Sequence, residues 1–147
     1  MAKAKPVVKA AALDKAINAS IDSLTKACGN AETAVTIKSA EAKKLLTEVK
    51  RHLKKKATLT KRSKTAGKKL KKAANAENKK AVAAVTKELK ATKAALDKSR
   101  TNKAVVATEL ASLKAAAQRL TTYTKVIAAA DKVLNKPAKK KRAKKKA

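Results

Sequence analysis

Twelve cationic side chains stand between residues 50 and 72 with no carboxylate among them: Lys50, Arg51, Lys54, Lys55, Lys56, Lys61, Arg62, Lys64, Lys68, Lys69, Lys71 and Lys72. The nearest acids are Glu48 and Glu77. A second run closes the sequence: Lys136, then Lys139, Lys140, Lys141, Arg142, Lys144, Lys145 and Lys146, with no acid after Asp131. Lysines on a balanced surface keep a protein in solution. Clusters without opposing charge attract polyanions instead, and nucleic acid is the commonest in a cell. The ratio of 35 Lys to 5 Arg narrows the mode. Arginine grips a phosphate or a guanine edge through a planar fork, whereas lysine is a flexible point charge. A lysine-dominated surface therefore predicts phosphate neutralisation and counterion release without base readout. Tyr123 is the one aromatic residue, so stacking on unpaired bases has little to work with and duplex is favoured over single strands. Tyr123 itself reads as a side chain packed beside a helix seam.

No constellation for bond-making chemistry accompanies these clusters. His52 stands among lysines, with Glu48 four residues earlier as its one helical acid neighbour, and reads as a solvated ion pair. The acids are scattered singly, as in Asp22 before Lys26 and Glu48 after Lys44, the spacing of helix-supporting pairs. No metal-ligand set, phosphate loop or nucleophile motif is present, so the expectation is a protein that is not an enzyme and takes no cofactor. The lone Cys28 excludes an intrachain disulfide and reads as a small residue on a helix face. The opening MAKAKPVVKAAALDK has its apolar run cut off by Asp14 and Lys15, unlike a signal peptide, and an intracellular reduced compartment is expected.

The whole composition points the same way. Of 147 residues, 35 are Lys and 35 are Ala, and the net charge is +30. Val, Ile and Leu supply 27, about 18%, below what an ordinary globular core requires. No stretch of about 20 apolar residues exists to span a membrane. Alanine and lysine are poor strand formers. An extended all-α polycation remains, and its compact state repels itself until a polyanion neutralises it.

Helices must therefore position the clusters. Leu13, Ile17, Ile21, Leu24, Cys28, Ala31 and Val35 fall on one helical stripe. Gly29 bends that helix, or Asn30 caps a new one with Glu32 near its positive end. Leu45, Leu46, Val49 and Leu53 resume the apolar pattern. Residues 57–67, ATLTKRSKTAG, lose it and gain hydroxyls, which predicts the turn between two helices. From Lys68 to Lys136 there is neither Gly nor Pro. There positions 82, 85, 89, 92, 96, 99, 103, 106, 110, 113, 117, 120, 124, 127, 131 and 134 alternate by three and four, a coiled-coil seam. Ser99, Lys103 and Asp131 are its poor positions, and the weak stretch 97–103 is a candidate break.

The expected architecture is a long antiparallel helical hairpin or coiled coil. Residues 1–9 form a flexible basic tail, 10–135 the body with a basic turn near 57–67, and 136–147 a disordered polybasic tail. A homodimer is the other way to bury the same stripes. In the hairpin, one cationic pole lies at the turn and the other beyond the long helix, roughly 100 Å away at 1.5 Å per residue. Two such poles could hold two nucleic-acid segments at once.

The alanine–lysine composition, the helical body, the stretch LASLKAAAQRLTTYTKVIAAADKVL and the ending NKPAKKKRAKKKA resemble the bacterial histone H1-like proteins, more narrowly the alginate-regulatory DNA-binding proteins of that group. The resemblance implies nucleoid association and DNA binding by a coiled-coil body joined to a basic tail. This tail is short and holds one proline, which shifts weight to the cluster at 50–72. The expected function is thus sequence-nonspecific DNA binding, histone-like, with bridging or compaction. The expected place is the cytoplasm and nucleoid, or the nucleus if the source is eukaryotic or a virus infecting one. An RNA- or ribosome-associated basic protein is the alternative, although RNA recognition calls for more arginine and aromatics. A membrane-surface binder ranks lower, for want of Trp, Phe and many Leu.

Overall fold

Between Pro6 and Pro137 the sequence has no proline, and Ala, Lys and Leu, which dominate it, are strong helix formers. The structure, a computed structural model, describes residues 10–135. Both expected tails, 1–9 and 136–147, lie outside them. The described chain is a helix, a short turn and a second helix: α1 spans Ala10–Lys72 and α2 spans Ala76–Leu134. The two pack antiparallel, as the pairs Lys38–Glu109 and Lys55–Glu88 show, the second number falling as the first rises. The fold is an all-α helical hairpin.

The turn is not where the sequence pattern puts it. Residues 57–67 are helix, and the chain reverses over residues 73–75. The inward stripe of α1 steps by three and four from Ile21 to Leu70 without a slip, through 45, 49, 52, 56, 59, 63, 66 and 70. Its occupants past Val49 are His52, Lys56, Leu59, Ser63, Ala66 and Leu70, so a count of large apolar residues loses the period there. Small residues let the helices approach closely. Leu59 meets the partner helix fully and is only 2% exposed. The hydroxyls that looked like turn residues bond back into the helix: Thr58 to the Lys54 carbonyl at 3.2 Å, Thr60 to Lys56 at 2.8 Å and Thr65 to Lys61 at 3.1 Å. α1 also runs unbroken through Gly29 and Asn30, so neither a bend nor a cap is needed there.

Asn75 and Asn78 determine the true turn. The Asn75 side-chain oxygen accepts a hydrogen bond from the Asn78 amide at 2.8 Å, capping the start of α2. The Asn78 side-chain amide donates to the Ala73 carbonyl at 2.8 Å, closing the end of α1. Lys69, Lys71 and Lys72 occupy the last turn of α1 and Glu77 the first of α2, each favourable to its helix dipole. Asn75→Ala is expected to cost about 1 kcal/mol, as loss of a helix cap does, and Asn75→Gly only a few tenths. Thermal melting of the two variants measures the difference.

The paired helices divide into two compact units. The turn unit, Ala34–Leu113, holds the buried side chains: Val49, Leu59, Leu96 and Val106, with the polar Thr92 and Ser99 among them. No fully buried side-chain polar atom among the described residues lacks a hydrogen-bond partner. α2 passes through 97–103 without a break. Ser99 turns inward while Asp97 and Lys103 face solvent, and the seam loses one contact at Lys103 rather than its helix.

The terminal unit takes in Met1–Thr33 and Lys114–Ala147, of which 10–33 and 114–135 are described. Its helices meet through Cys28, whose Sγ lies 3.4 Å from the Thr121 hydroxyl. Burial is shallow here. Leu13 and Ile17 are 56% and 52% exposed, and the inward stripe begins only at Ile21. On α2 it slips from Ile127 to Ala128, leaving Leu134 82% exposed. Tyr123, expected beside the seam, is half exposed.

Candidate nucleic-acid interface

The corrected turn changes what carries the first basic cluster. All twelve cations lie on α1 itself, in its last 23 residues, and not on a loop. With the inward stripe at 49, 52, 56, 59, 63, 66 and 70, the heptad arithmetic sorts the rest by face. The dipeptides Lys54–Lys55, Lys61–Arg62 and Lys68–Lys69 recur every seven residues and so share one side of the helix. They form a ladder of paired charges with a step of about 10.5 Å, seven times the helical rise. Lys50, Lys64 and Lys71 occupy a second row, with Arg51 and Lys72 beside it. The opposite flank, Leu53, Thr60 and Gly67, carries no charge.

Eleven of the twelve are exposed; Lys56 stands on the inward stripe, half-buried. Lys55 is held by Glu88 across the helix pair at 3.1 Å. Lys38 pairs with Glu41 at 2.9 Å and Glu109 at 2.7 Å. The expected Asp22–Lys26 and Lys44–Glu48 pairs are not among them. The hydrogen bond from Lys38 to Glu109, then that to Glu41, pushes its ammonium up to about 12 from 10.5. A pKa raised on folding supports the fold below the unfolded value and loses that support as pH passes the folded one. The clasp therefore holds throughout the neutral range.

His52 is half-buried on the inward stripe rather than a solvated partner of Glu48. With Arg51, Lys55, Glu88, Ala91 and Thr92 it lines a groove of about 370 Å³ beside the cluster. Glu88 in its wall disfavours a free anion there. The outer face has no such acid. Lys79 and Lys80 extend the basic surface past the turn, both exposed at the start of α2. The acid-free window conceals them, since Glu77 closes it two residues earlier; the readable signal is the cap at Asn75, which folds them back beside the end of α1. The second cluster, Lys136 and Lys139 to Lys146, lies outside the described residues, and so does the second pole.

Among the described residues, charge is unevenly shared between the units. The turn unit carries 23 Lys and Arg against six carboxylates, Glu41, Glu48, Glu77, Glu88, Asp97 and Glu109. Three of those six are held in the ion pairs above. The described part of the terminal unit carries six cations against four carboxylates, Asp14, Asp22, Glu32 and Asp131. Among the described residues no group of three or more His, Cys, Asp or Glu could hold a metal ion, and no helix is long and apolar enough to cross a membrane. No family model matches the chain, and neither a curated protein nor a solved structure matches it.

Proposed function

We propose that this protein binds duplex DNA without reading its sequence, by neutralising phosphates along the outer face of α1, and that it bridges or compacts DNA in the manner of a histone-like nucleoid-associated protein. One observation carries the reading: a continuous helical face, 50–72, presents eleven exposed cations with no carboxylate among them and a single ion pair beside them. A rigid helix spaces these charges without a ligand present, so ordering them on binding costs little beyond their side-chain freedom. Lysine-rich contact gives affinity with little base discrimination. The likeness of composition and ending to the alginate-regulatory proteins points the same way, and that resemblance implies association with the chromosome.

The test is a titration of the full chain against two short duplexes of unrelated sequence, across salt. Engagement of about eight phosphates gives a slope near −7 in log affinity against log salt, at about 0.9 per contact, and the two duplexes should agree within a few-fold. A strong sequence preference, or a structured RNA bound far more tightly than either duplex at every salt, would overturn the reading.

A further inference from the structure

The six carboxylates of the turn unit are not spread evenly around its helix pair. Glu41, Glu48, Glu88 and Glu109 each stand one residue before the inward stripe of their helix, and Glu77 stands one before the half-buried Asn78. That spacing puts all five on one side of the pair, the side of the Lys55–Glu88 and Lys38–Glu109 clasps. One residue past the stripe lies the other side. There α1 presents Lys43, Lys50, Lys64 and Lys71, and α2 presents Lys79, Lys90, Lys93 and Arg100. All eight are exposed, and Asp97 is the one carboxylate of the turn unit on their side. The uncharged Leu46, Leu53, Thr60 and Gly67 run between the two rows. Counted from the Lys55–Glu88 pair in the antiparallel register, Lys43 falls level with Arg100, Lys50 with Lys93 and Lys64 with Lys79, to within a helical turn. Cations seven residues apart are about 10.5 Å apart along a helix, and the axes of packed helices lie about 8–10 Å apart. The turn unit thus carries two cationic rails over an uncharged strip.

We infer that these rails are a second duplex-binding face, built by both helices, so that one hairpin holds two duplexes. The inference rests on the phosphate-binding reading above and supplies the second contact that bridging needs. Two rows of cations across an uncharged strip meet phosphates of both strands of a duplex, where a single row tracks one. Arg100 adds a planar fork that grips a phosphate in fixed geometry, which the lysine row of α1 lacks. The five carboxylates on the opposite side of the pair leave the rails as the side that favours a polyanion. Around α1 the rail row lies about 140° from Lys55, Arg62 and Lys69 of the ladder, at 3.6 residues per turn. Duplexes on the two faces therefore point away from each other.

The test is capture of a labelled short duplex on an immobilised one through the full chain at about 0.15 M salt, beside a titration with the labelled duplex alone. Lys93→Gln, Arg100→Gln should cut capture at least about tenfold, as the loss of two phosphate contacts at about 0.9 each in the salt slope implies. The ladder is intact in this variant, so one duplex per chain should still bind. Lys87→Gln, Lys98→Gln removes the same charge from other exposed faces of α2 and should capture like the wild type. Glutamine is a strong helix former, so both variants should keep their helical circular dichroism. A rail variant that captures as well as the wild type overturns the proposal and moves the second contact to residues 136–147 or to a second copy of the chain. So does a control that loses capture equally, since total charge would then govern it. A wild type that binds one duplex without capturing another also overturns it and leaves phosphate neutralisation standing. A wild type that binds no duplex removes both readings.

Discussion

Replacing Lys54, Lys55, Lys61, Arg62, Lys68 and Lys69 together by Gln should flatten the salt dependence of duplex binding by about five units of log affinity per log salt, at about 0.9 per contact. A protein with a slope near −7 loses roughly 10⁴-fold in affinity between about 50 and 200 mM salt; one with a slope near −2 loses only ten- to twentyfold. The six positions form the ladder on the outer side of α1, so their removal leaves the seam of Leu59, Ser63, Ala66 and Leu70 untouched. It breaks one exposed ion pair, Lys55–Glu88, of the kind that contributes little to stability. A matched control separates the cluster from bulk charge. Lys15, Lys26, Lys114, Arg119, Lys125 and Lys132, all replaced by Gln, lower the net charge by the same six but lie in the terminal unit. The control should keep most of the steep slope. If both variants flatten alike, net charge governs binding and the ordered face of α1 has no special part in it.

The hairpin was legible because its evidence is redundant. Helix-forming composition, the absence of proline and glycine from Lys68 to Lys136, and the alternation of three and four along α2 each point to paired helices, and the seam is observed as read from Val82 to Thr124, apart from Lys103. The turn was misplaced because two signals conflict at 57–67. Hydroxyl and β-branched residues usually mark loops when they follow an apolar stripe. Here they bond to carbonyls one turn back, while the stripe continues in Ser63 and Ala66, which a search for large apolar residues passes over. The actual turn is written in two asparagines whose side chains cap both helix ends, a signal of polarity and spacing rather than hydrophobicity. The cluster at 50–72 could be listed from the sequence, but its sorting into a ladder, a second row and one inward lysine required the register, which only the helix partner fixes. The exposure of the terminal unit's large apolar residues had no sequence signature. Leu13, Ile17, Ile127 and Leu134 satisfy the seam pattern, and only the packing shows that the partner helix does not cover them.

A pair of prolines distinguishes the observed turn from the one the pattern suggests. Thr65 lies within 57–67, exposed on α1. If that stretch were a loop, Thr65→Pro would be tolerated. In the helix the substitution removes an amide donor and drives the pyrrolidine ring against the preceding turn, at a cost of about 3 kcal/mol or more. The loss should be large for this protein, because the buried side chains are few and Leu59, one of the two most completely buried, lies less than two turns away. Ala76→Pro makes the opposite case. Ala76 is the first residue of α2, directly after the Asn75 cap, where an amide has no helical acceptor and proline's fixed backbone angle suits the helix start. The residue before a proline is pushed toward extended backbone, which is what a capping residue adopts. Ala76→Pro should therefore melt within a few degrees of the wild type, or slightly above it, as proline at a compatible site restricts the unfolded chain. Thr65→Pro should melt far lower and lose helical circular dichroism at room temperature. Equal melting of the two variants, or the reverse order, would mean that the chain turns before Gly67, and the ladder of paired cations on α1 would have no continuous helix to stand on.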